Sequence, residues 1–295
     1  MPLDITIESL LQQDSDLSSL PEIFIRVSNL LDDENSSTLQ IGQVVETDPS
    51  LTTRILKMVN SAYYGFPHTV SSISQAISIL GRDRLRQILI GAVLGGVFGN
   101  MKNSVFRMED YWYHSVKTAI LSRLLCKQSD LAEESDSLFT AGLLHQIGRL
   151  ILVQKLPELA QEIQQAVETE GEDIYQAEKR ILGFDHCEVG AAFIEHWGLP
   201  ELLVEIARYH MNPSAAQEFQ GEVRLVNLAK KISFLMTPFE MEDLDYALEE
   251  VPGWQDTGLD RHQIAEACRD ANEQVYQVME SLGMVQMTID LDDDD

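Results

Sequence analysis

Hydrophobic residues recur along almost the whole chain at the three- and four-residue spacing of an amphipathic α-helix. One such helix starts at Asp48-Pro49, where aspartate can cap the helix and proline suits its first turn. Its apolar residues include Leu51, Leu56 and Val59, and we expect Leu56 and Val59 to be buried. Alternation of apolar and polar residues, the pattern of a half-buried strand, is hard to find. The sequence therefore predicts an all-α fold with almost no β-structure.

Capping residues, prolines and glycines divide this periodic pattern into separate helices. A polar, loop-forming stretch at 99–104 is the predicted boundary between two helical subdomains, residues 1–103 and 104–238. Residues 239–295 are predicted to hold C-terminal helices and an acidic tail that closes with Asp290–Asp295. The predicted helices cover about 5–13, a segment starting at 20–21, 39–45, 48–60, 72–80, 83–98, 109–128, 135–154, 158–170, 173–182, 186–197, 200–211, 222–236 and 260–282.

The composition of the chain argues against nucleic acid and membrane as direct binding partners. The formal net charge is −27 over 295 residues, and such a surface repels a phosphate backbone, so we expect no direct nucleic-acid binding. No apolar stretch approaches the roughly 18 to 20 residues of a membrane helix, so we expect no membrane span. The N-terminus lacks the basic and apolar regions of a secretory signal, and the three cysteines are scattered. These features predict a cytoplasmic protein with reduced thiols.

Several motifs in a fixed order resemble the HDOD domain, and the resemblance runs from about Leu17 to Leu235. It implies a bacterial signal-transduction protein with an N-terminal helical subdomain and a second, HD-like helical bundle. It also implies a regulatory, non-catalytic module that acts through a protein partner, while the sequence does not specify an oligomeric state. The motifs that carry the resemblance are Leu20–Ile23, Asp48–Gly65, Ser72–Gly81, Ala141–Gly148, His186–Gly190 and Trp197–Pro200.

The HDOD scaffold is similar to that of the HD and HD-GYP metal phosphohydrolases, whose metals are held by histidines and aspartates. Gln146 stands where the HD pair has its aspartate, and Lys230 aligns with the distal aspartate. A neutral amide and a cation are poor replacements for anionic ligands, because a lysine repels a dication by several kcal/mol at close range. The histidines that match metal-ligand positions are His114, His145, His186 and His210.

Each of these four histidines also has a structural alternative, as a core residue, an aromatic neighbour, a cap or a helix-end cation. Lys230 has one too, since its side chain could extend outward to solvent. We therefore expect the metal site to be vestigial, with no cofactor beyond a single adventitious divalent ion. Two functional alternatives stay open: a metal-dependent phosphohydrolase or cyclic-dinucleotide phosphodiesterase, and a nucleotide-sensing domain that uses the vacated pocket.

The segment Asn60-Ser61-Ala62-Tyr63-Tyr64 is the candidate surface for a protein partner. Aromatic side chains contribute disproportionately to interfaces, which favours a binding role for Tyr63 and Tyr64. Asn60 and Ser61 could instead fix a helix end through local hydrogen bonds, with the tyrosines filling the seam between the subdomains. Both interpretations are consistent with the sequence.

Overall fold

The computed structural model of the chain describes residues 5–12, 21–99, 101–235, 243–249 and 251–285. Over these ranges the regular structure is helical, and no β-strand is present. The all-α prediction is therefore confirmed. The predicted acidic tail, Asp290–Asp295, and the start of the segment predicted at Leu20 lie outside the described residues.

The N-terminal part of the chain, predicted to be the first subdomain, consists of helices whose buried residues join one apolar core with the rest of the described chain. Asp48 caps α4 as predicted, since its Oδ1 accepts the amides of Ser50 and Leu51, both at 3.0 Å. The helices are α1 (Ile7–Gln12), α2 (Glu22–Asp32), α3 (Thr38–Val45), α4 (Pro49–Val59), α5 (Ile73–Leu80) and α6 (Arg82–Phe98).

Burial along α4 differs in one position from the prediction. Val59 is fully buried as expected, but Leu56 is only half-buried, and Ile55 and Met58 fill the core. Successive helical residues are rotated by about 100°, so Leu56, next to the inward Ile55, falls at the margin of the buried face. The spacing of apolar residues predicted the helix correctly, but it placed Leu56 inside the buried face, whose centre lies at Ile55 and Met58.

The part of the chain predicted to be the second subdomain is built around a long central helix, α7. Trp112, Val116 and Ile120 of α7 are fully buried, and the helix packs against α8, α14 and the C-terminal helix. The helices are α7 (Met108–Lys127), α8 (Ser135–Leu144), α9 (Ile147–Lys155), α10 (Pro157–Glu170), α11 (Ile174–Leu182), α12 (His186–His196), α13 (Glu201–Tyr209) and α14 (Gln220–Leu235).

The single helix predicted at 135–154 is wrong, because the chain turns at His145-Gln146 and forms two helices, α8 and α9. The Nδ1 atom of His145 lies 2.6 Å from the carbonyl oxygen of Gly142. In a continuous helix that carbonyl accepts the amide of Gln146, four residues later. The histidine side chain thus competes with the helix for the same acceptor, and the helix ends there.

The C-terminal segment bridges the two subdomains. It contains α15 (Asp243–Glu249), which the sequence did not predict, a 3₁₀ turn at Trp254–Thr257 and α16 (Arg261–Leu282). Helix α16 packs against α7 and also against α4 and α6. The approach to α6 is so close that a Cβ atom added at Gly95 would lie 1.8 Å from the carbonyl oxygen of Leu282. The boundaries at 103 and 238 stay predictions. No described helix is both long and apolar enough to span a membrane.

Candidate functional site: a buried histidine cluster

Three histidines that are distant in sequence meet inside the second subdomain. The ring centroids of His145 and His210 are 5.0 Å apart, and those of His186 and His210 are 5.8 Å apart. Each of the three side chains is at most 1% exposed. We call His145, His186 and His210 the histidine cluster.

The backbone positions that bring these rings together lie at helix ends. His145 is in the turn between α8 and α9, His186 is the first residue of α12, and His210 follows α13. The turn at His145 can reach α12 because Gly148 has no side chain. A Cβ atom at Gly148 would lie 2.0 Å from the carbonyl oxygen of His186 and 2.7 Å from the amide nitrogen of Gly190.

Two of the rings are oriented by backbone carbonyls within their own helical turn. His145 Nδ1 donates to the oxygen of Gly142 at 2.6 Å, and His210 Nδ1 donates to the oxygen of Ala207 at 2.9 Å. A carbonyl oxygen can only accept, so Nδ1 carries the proton in each ring. The lone pair of each neutral imidazole is therefore on Nε2.

The third ring is oriented by a buried carboxylate, that of Glu178 on α11. Glu178 Oε2 accepts both the backbone amide of His186, at 2.9 Å, and its Nδ1 atom, at 2.6 Å. The carboxylate is almost fully buried, with 2% of the residue exposed. This arrangement again leaves the Nε2 atom of His186 free to act as an acceptor or a ligand, as carboxylate-oriented metal-binding histidines do.

The Nε2 atoms of the cluster are mostly without partners. Those of His145 and His186 are buried and have no hydrogen-bond partner among the described residues. The Nε2 atom of His210 lies 3.9 Å from Cys187 Sγ. The possible ligand atoms of His186, Cys187 and His210 all lie within 4.8 Å of one another. Burial strongly raises the pKa of the Cys187 thiol, which favours the protonated form.

His114, the fourth predicted histidine, has different neighbours. Its ring is 5.7 Å from that of Tyr113 and 5.5 Å from that of Phe234, near the end of α14. Partial burial lowers the pKa of His114, which favours the neutral ring. Its ring contacts in the described part of the chain are thus with these two aromatic residues, while the other three histidines contact one another.

Lys230 is directed toward the histidine cluster. Its Nζ atom donates to the thioether sulfur of Met211, the residue that follows His210. Burial lowers the pKa of Lys230 to about 8. Burial is the main cause that lowers the pKa values of His145 and His210, and the charge of the nearby Lys230 is the second cause. The pKa of His145 is lowered to about 3. Lys230 is half-buried on the wall of a cleft, so its side chain is only partly solvated, unlike the outward lysine of the sequence alternative.

These groups fit a catalytic dinuclear metal centre poorly. Such a centre needs carboxylates that hold and bridge two cations. The two buried carboxylates beside the cluster have other partners: Glu178 holds His186, and Asp185 caps α12 and pairs with Lys179 at 3.1 Å. Neutral imidazoles with Lys230 beside them could bind at most one ion, weakly, and that ion would be one that prefers nitrogen ligands.

Residues at the start of the predicted partner-binding segment are held by hydrogen bonds within the chain, although Asn60 itself is exposed. Asn60 Nδ2 donates to the carbonyl oxygens of Leu56 and Val70, both at 2.8 Å, and its Oδ1 accepts the Val70 amide at 2.7 Å. Ser61 Oγ donates to the Met58 carbonyl at 2.6 Å and is buried. The two bonds to Val70 tie the end of α4 to the residues before α5, and those to Leu56 and Met58 fix the end of α4 itself, which fits the structural alternative.

The two tyrosines of this segment lie at the seam between the subdomains. The Tyr63 ring is 5.1 Å from Phe139 of α8, and the guanidinium of Arg123 of α7 lies 4.4 Å above it. Tyr64 packs edge-on against Tyr63 at 5.0 Å and is half-buried. Asp136 holds Arg123 through a 3.1 Å ion pair. The geometry of Tyr63 therefore favours a packing role, and a role in partner binding stays a prediction.

Three residues that shape this region were not identified from the sequence. Glu178 orients His186, Asn227 donates to the carbonyl oxygen of His210 at 2.6 Å, and Arg149 lines a cleft next to Lys230. Glu178 and Asn227 lie in amphipathic helices, where a single polar residue gives no local sign of burial. A buried polar residue becomes recognisable only when its tertiary partner is known.

An all-helical, HD-like bundle with a histidine cluster defines the general class, and comparison with known proteins identifies the family. The chain belongs to the HDOD domain family, whose family model matches residues 17–213. A Treponema pallidum (strain Nichols) protein described only as uncharacterized is 26% identical over 230 residues, which cover 76% of this chain and 44% of that protein. The chain thus spans less than half the length of this curated relative.

Solved structures share the same architecture. A protein from Shewanella amazonensis SB2B, described as a candidate phosphohydrolase, is 26% identical, with a TM-score of 0.78 over 93% of this chain and 98% of that one. An HDOD domain protein of unknown function from Geobacter sulfurreducens is 22% identical, with a TM-score of 0.73 over 95% of this chain and 97% of that one. The second comparison establishes similarity of fold.

Proposed function

We propose that this HDOD protein is a cytoplasmic, non-catalytic regulatory module that acts in bacterial signal transduction through a protein partner. The observation that carries the proposal is the pair of replacements at the HD-type site. Gln146 follows the cluster residue His145, and Lys230 faces the cluster from α14. The three cysteines of the chain are unpaired and buried, in keeping with a reducing compartment.

The physical argument concerns charge. A metal-dependent phosphohydrolase needs a cation to activate water and to neutralise the phosphate ester. In this chain the site supplies neutral imidazoles and a lysine, so a dication would gain little from its ligands and would be repelled by Lys230. Loss of turnover leaves the helical scaffold intact, and the scaffold can then serve recognition.

The test is a phosphodiesterase assay on the purified 295-residue chain with added Mn²⁺ or Mg²⁺, using cyclic di-GMP and a chromogenic phosphodiester as substrates. We expect no turnover above the buffer blank. The double variant Gln146→Asp/Lys230→Asp should gain Mn²⁺ affinity by at least tenfold, because it restores two anionic ligands. Arg26→Gln, which removes an exposed charge on α2, is the matched control and should bind metal like the parent.

A second candidate function is a metal-dependent phosphohydrolase. It is favoured by the orphaned Nε2 atoms of His145 and His186 in the described part of the chain, and by the similarity to the Shewanella protein. Metal-dependent turnover in the unmodified protein, abolished by His145→Ala, would establish this function and contradict the non-catalytic proposal.

A further inference from the structure

A cleft of about 640 Å³ opens beside the histidine cluster, between α9, the end of α10 with its following loop, and α14. Gln146 and Arg149 lie on one side, and Lys230 and Lys231 on another. We call this site the basic cleft. Its volume falls in the range of small-molecule sites in proteins.

Positive charge in the basic cleft contrasts with the chain as a whole, whose net charge is −27. Arg149, Lys230 and Lys231 all line it. The acidic residues on its rim have partners of their own. Glu172 forms a 2.6 Å ion pair with Arg180, and Asp173 caps α11 by accepting the amides of Tyr175 and Gln176. Asp173 acts favourably on Lys230, and Glu178 on Arg149, but neither carboxylate forms a salt bridge with these two cations in the described part of the chain.

Two of these cations have weak partners. Arg149 lies over the Phe106 ring, 5.2 Å from its centroid, and forms no salt bridge within the described ranges. Lys230 donates to the sulfur of Met211, and a thioether is a poor acceptor for an ammonium group. Burial lowers the pKa of both side chains, and the Arg149 charge further lowers the pKa of Lys230. Both residues are half-buried on the wall of the cleft, and an anion between them would relieve the repulsion that Arg149 exerts on Lys230.

We propose that the basic cleft binds a small phosphate-bearing ligand, with its phosphate group between Arg149 and Lys230. This rests on the proposed loss of the metal site, because the two side chains provide the positive charge that a metal would supply. A guanidinium fork and an ammonium group are the side chains that bind phosphate best. A small ligand in a recessed site escapes most of the repulsion that the acidic surface exerts on a nucleic acid.

The apolar side of the basic cleft adds a second contact for the ligand. It is formed by Val167, Ile174, Phe234 and Leu235. Phe234 is 72% exposed, although it is a large aromatic residue. A nucleobase could stack on this ring, whereas a sugar phosphate has no flat surface to offer it. The ligand therefore belongs to one of two sources, a nucleotide or a smaller phosphate ester, which share the same phosphate contacts.

The experiment is isothermal titration calorimetry on the 295-residue chain in buffer containing EDTA, so that metal-mediated binding is removed. The probes are 5′-GMP, ribose 5-phosphate, inorganic phosphate and guanosine. We expect saturable binding of at least one phosphate-bearing probe and none of guanosine. Arg149→Gln and Lys230→Met should each weaken that binding at least tenfold, and Arg26→Gln should change it less than twofold.

Phe234→Ala distinguishes a nucleotide from a smaller phosphate ester as the ligand. Because Phe234 is exposed, we expect this variant to fold like the parent protein. A loss of affinity for 5′-GMP alone assigns a nucleotide, and unchanged affinities assign the phosphate ester by itself. The absence of binding by every phosphate-bearing probe, or binding that neither Arg149→Gln nor Lys230→Met weakens, overturns the proposal. Turnover of a phosphodiester would instead overturn the proposed function. A protein with neither binding nor turnover would leave the proposed function standing and refute this inference alone.

Discussion

Gly148→Ala tests how the histidine cluster is assembled. Gly148 lies in the first turn of α9, and alanine in a helix is ordinarily more stable than glycine by about 0.5–1 kcal/mol. In this protein the added methyl group would lie 2.0 Å from the carbonyl oxygen of His186 and 2.7 Å from the amide nitrogen of Gly190. Both atoms belong to backbone, so they can move away only if α9 and α12 separate.

The steric clash and the higher helix propensity of alanine act in opposite directions on the stability of Gly148→Ala, and the clash is the larger of the two. Overpacking of a tight interior costs about 1–3 kcal/mol, which exceeds the gain in helix propensity. We expect Gly148→Ala to lower the free energy of unfolding by that amount in urea denaturation followed by circular dichroism. Displacement of His186 should accompany it, because the clash falls on that residue's own carbonyl.

Gly96→Ala is the matched control. Gly96 also lies within a helix, but its added Cβ would meet only the end of the Arg54 side chain, at 2.8 Å from its nearest atom. A flexible guanidinium can move aside, so this variant should be neutral or slightly more stable than the parent. A Gly148→Ala protein as stable as Gly96→Ala would refute the close contact between α9 and α12.

Three further predictions follow from other contacts. Asn60→Ala should lower the free energy of unfolding by about 1–3 kcal/mol, because it removes two hydrogen bonds to Val70 and one to the Leu56 carbonyl oxygen of α4; an unchanged urea midpoint would show that these bonds do not stabilise the segment. Glu178→Ala should cost about as much by leaving His186 unpaired, and unaltered stability would contradict that pairing. Between pH 7 and pH 5, His145 becomes protonated in the unfolded chain but stays neutral in the folded chain, where its pKa is about 3. The parent protein should therefore lose about 2 kcal/mol of stability over this range, and His145→Gln should not show this loss. Urea titrations of both proteins at pH 7 and pH 5 test this.

Much of the fold could be predicted because helix periodicity and capping are local properties of the sequence. The cap at Asp48 and the bounds of α7 and α16 follow from residues within one or two turns. The break at His145 could not be predicted in that way. It depends on which acceptor a side chain selects, and the apolar pattern of α8 and α9 continues through it.

The candidate site could be predicted only in part, because some of its residues belong to local sequence motifs and others come together only through tertiary packing. Resemblance to the HDOD pattern identified His145, His186 and His210, which the structure brings together. The orienting carboxylate of Glu178 comes from a different helix, and its burial is a consequence of tertiary packing alone. Arg149 lies on the same helix as Gly148, but only the arrival of α14 places Lys230 beside it in one cleft.

The central claim is that this HD-type site does not hold a catalytic metal centre, and metal content tests it most directly. The measurement is the number of divalent ions per chain, determined by elemental analysis of the 295-residue chain purified without chelators. Our account predicts less than one ion per chain, since the cluster offers neutral imidazoles with Lys230 beside them. Two tightly bound ions per chain that disappear in His145→Ala would contradict it.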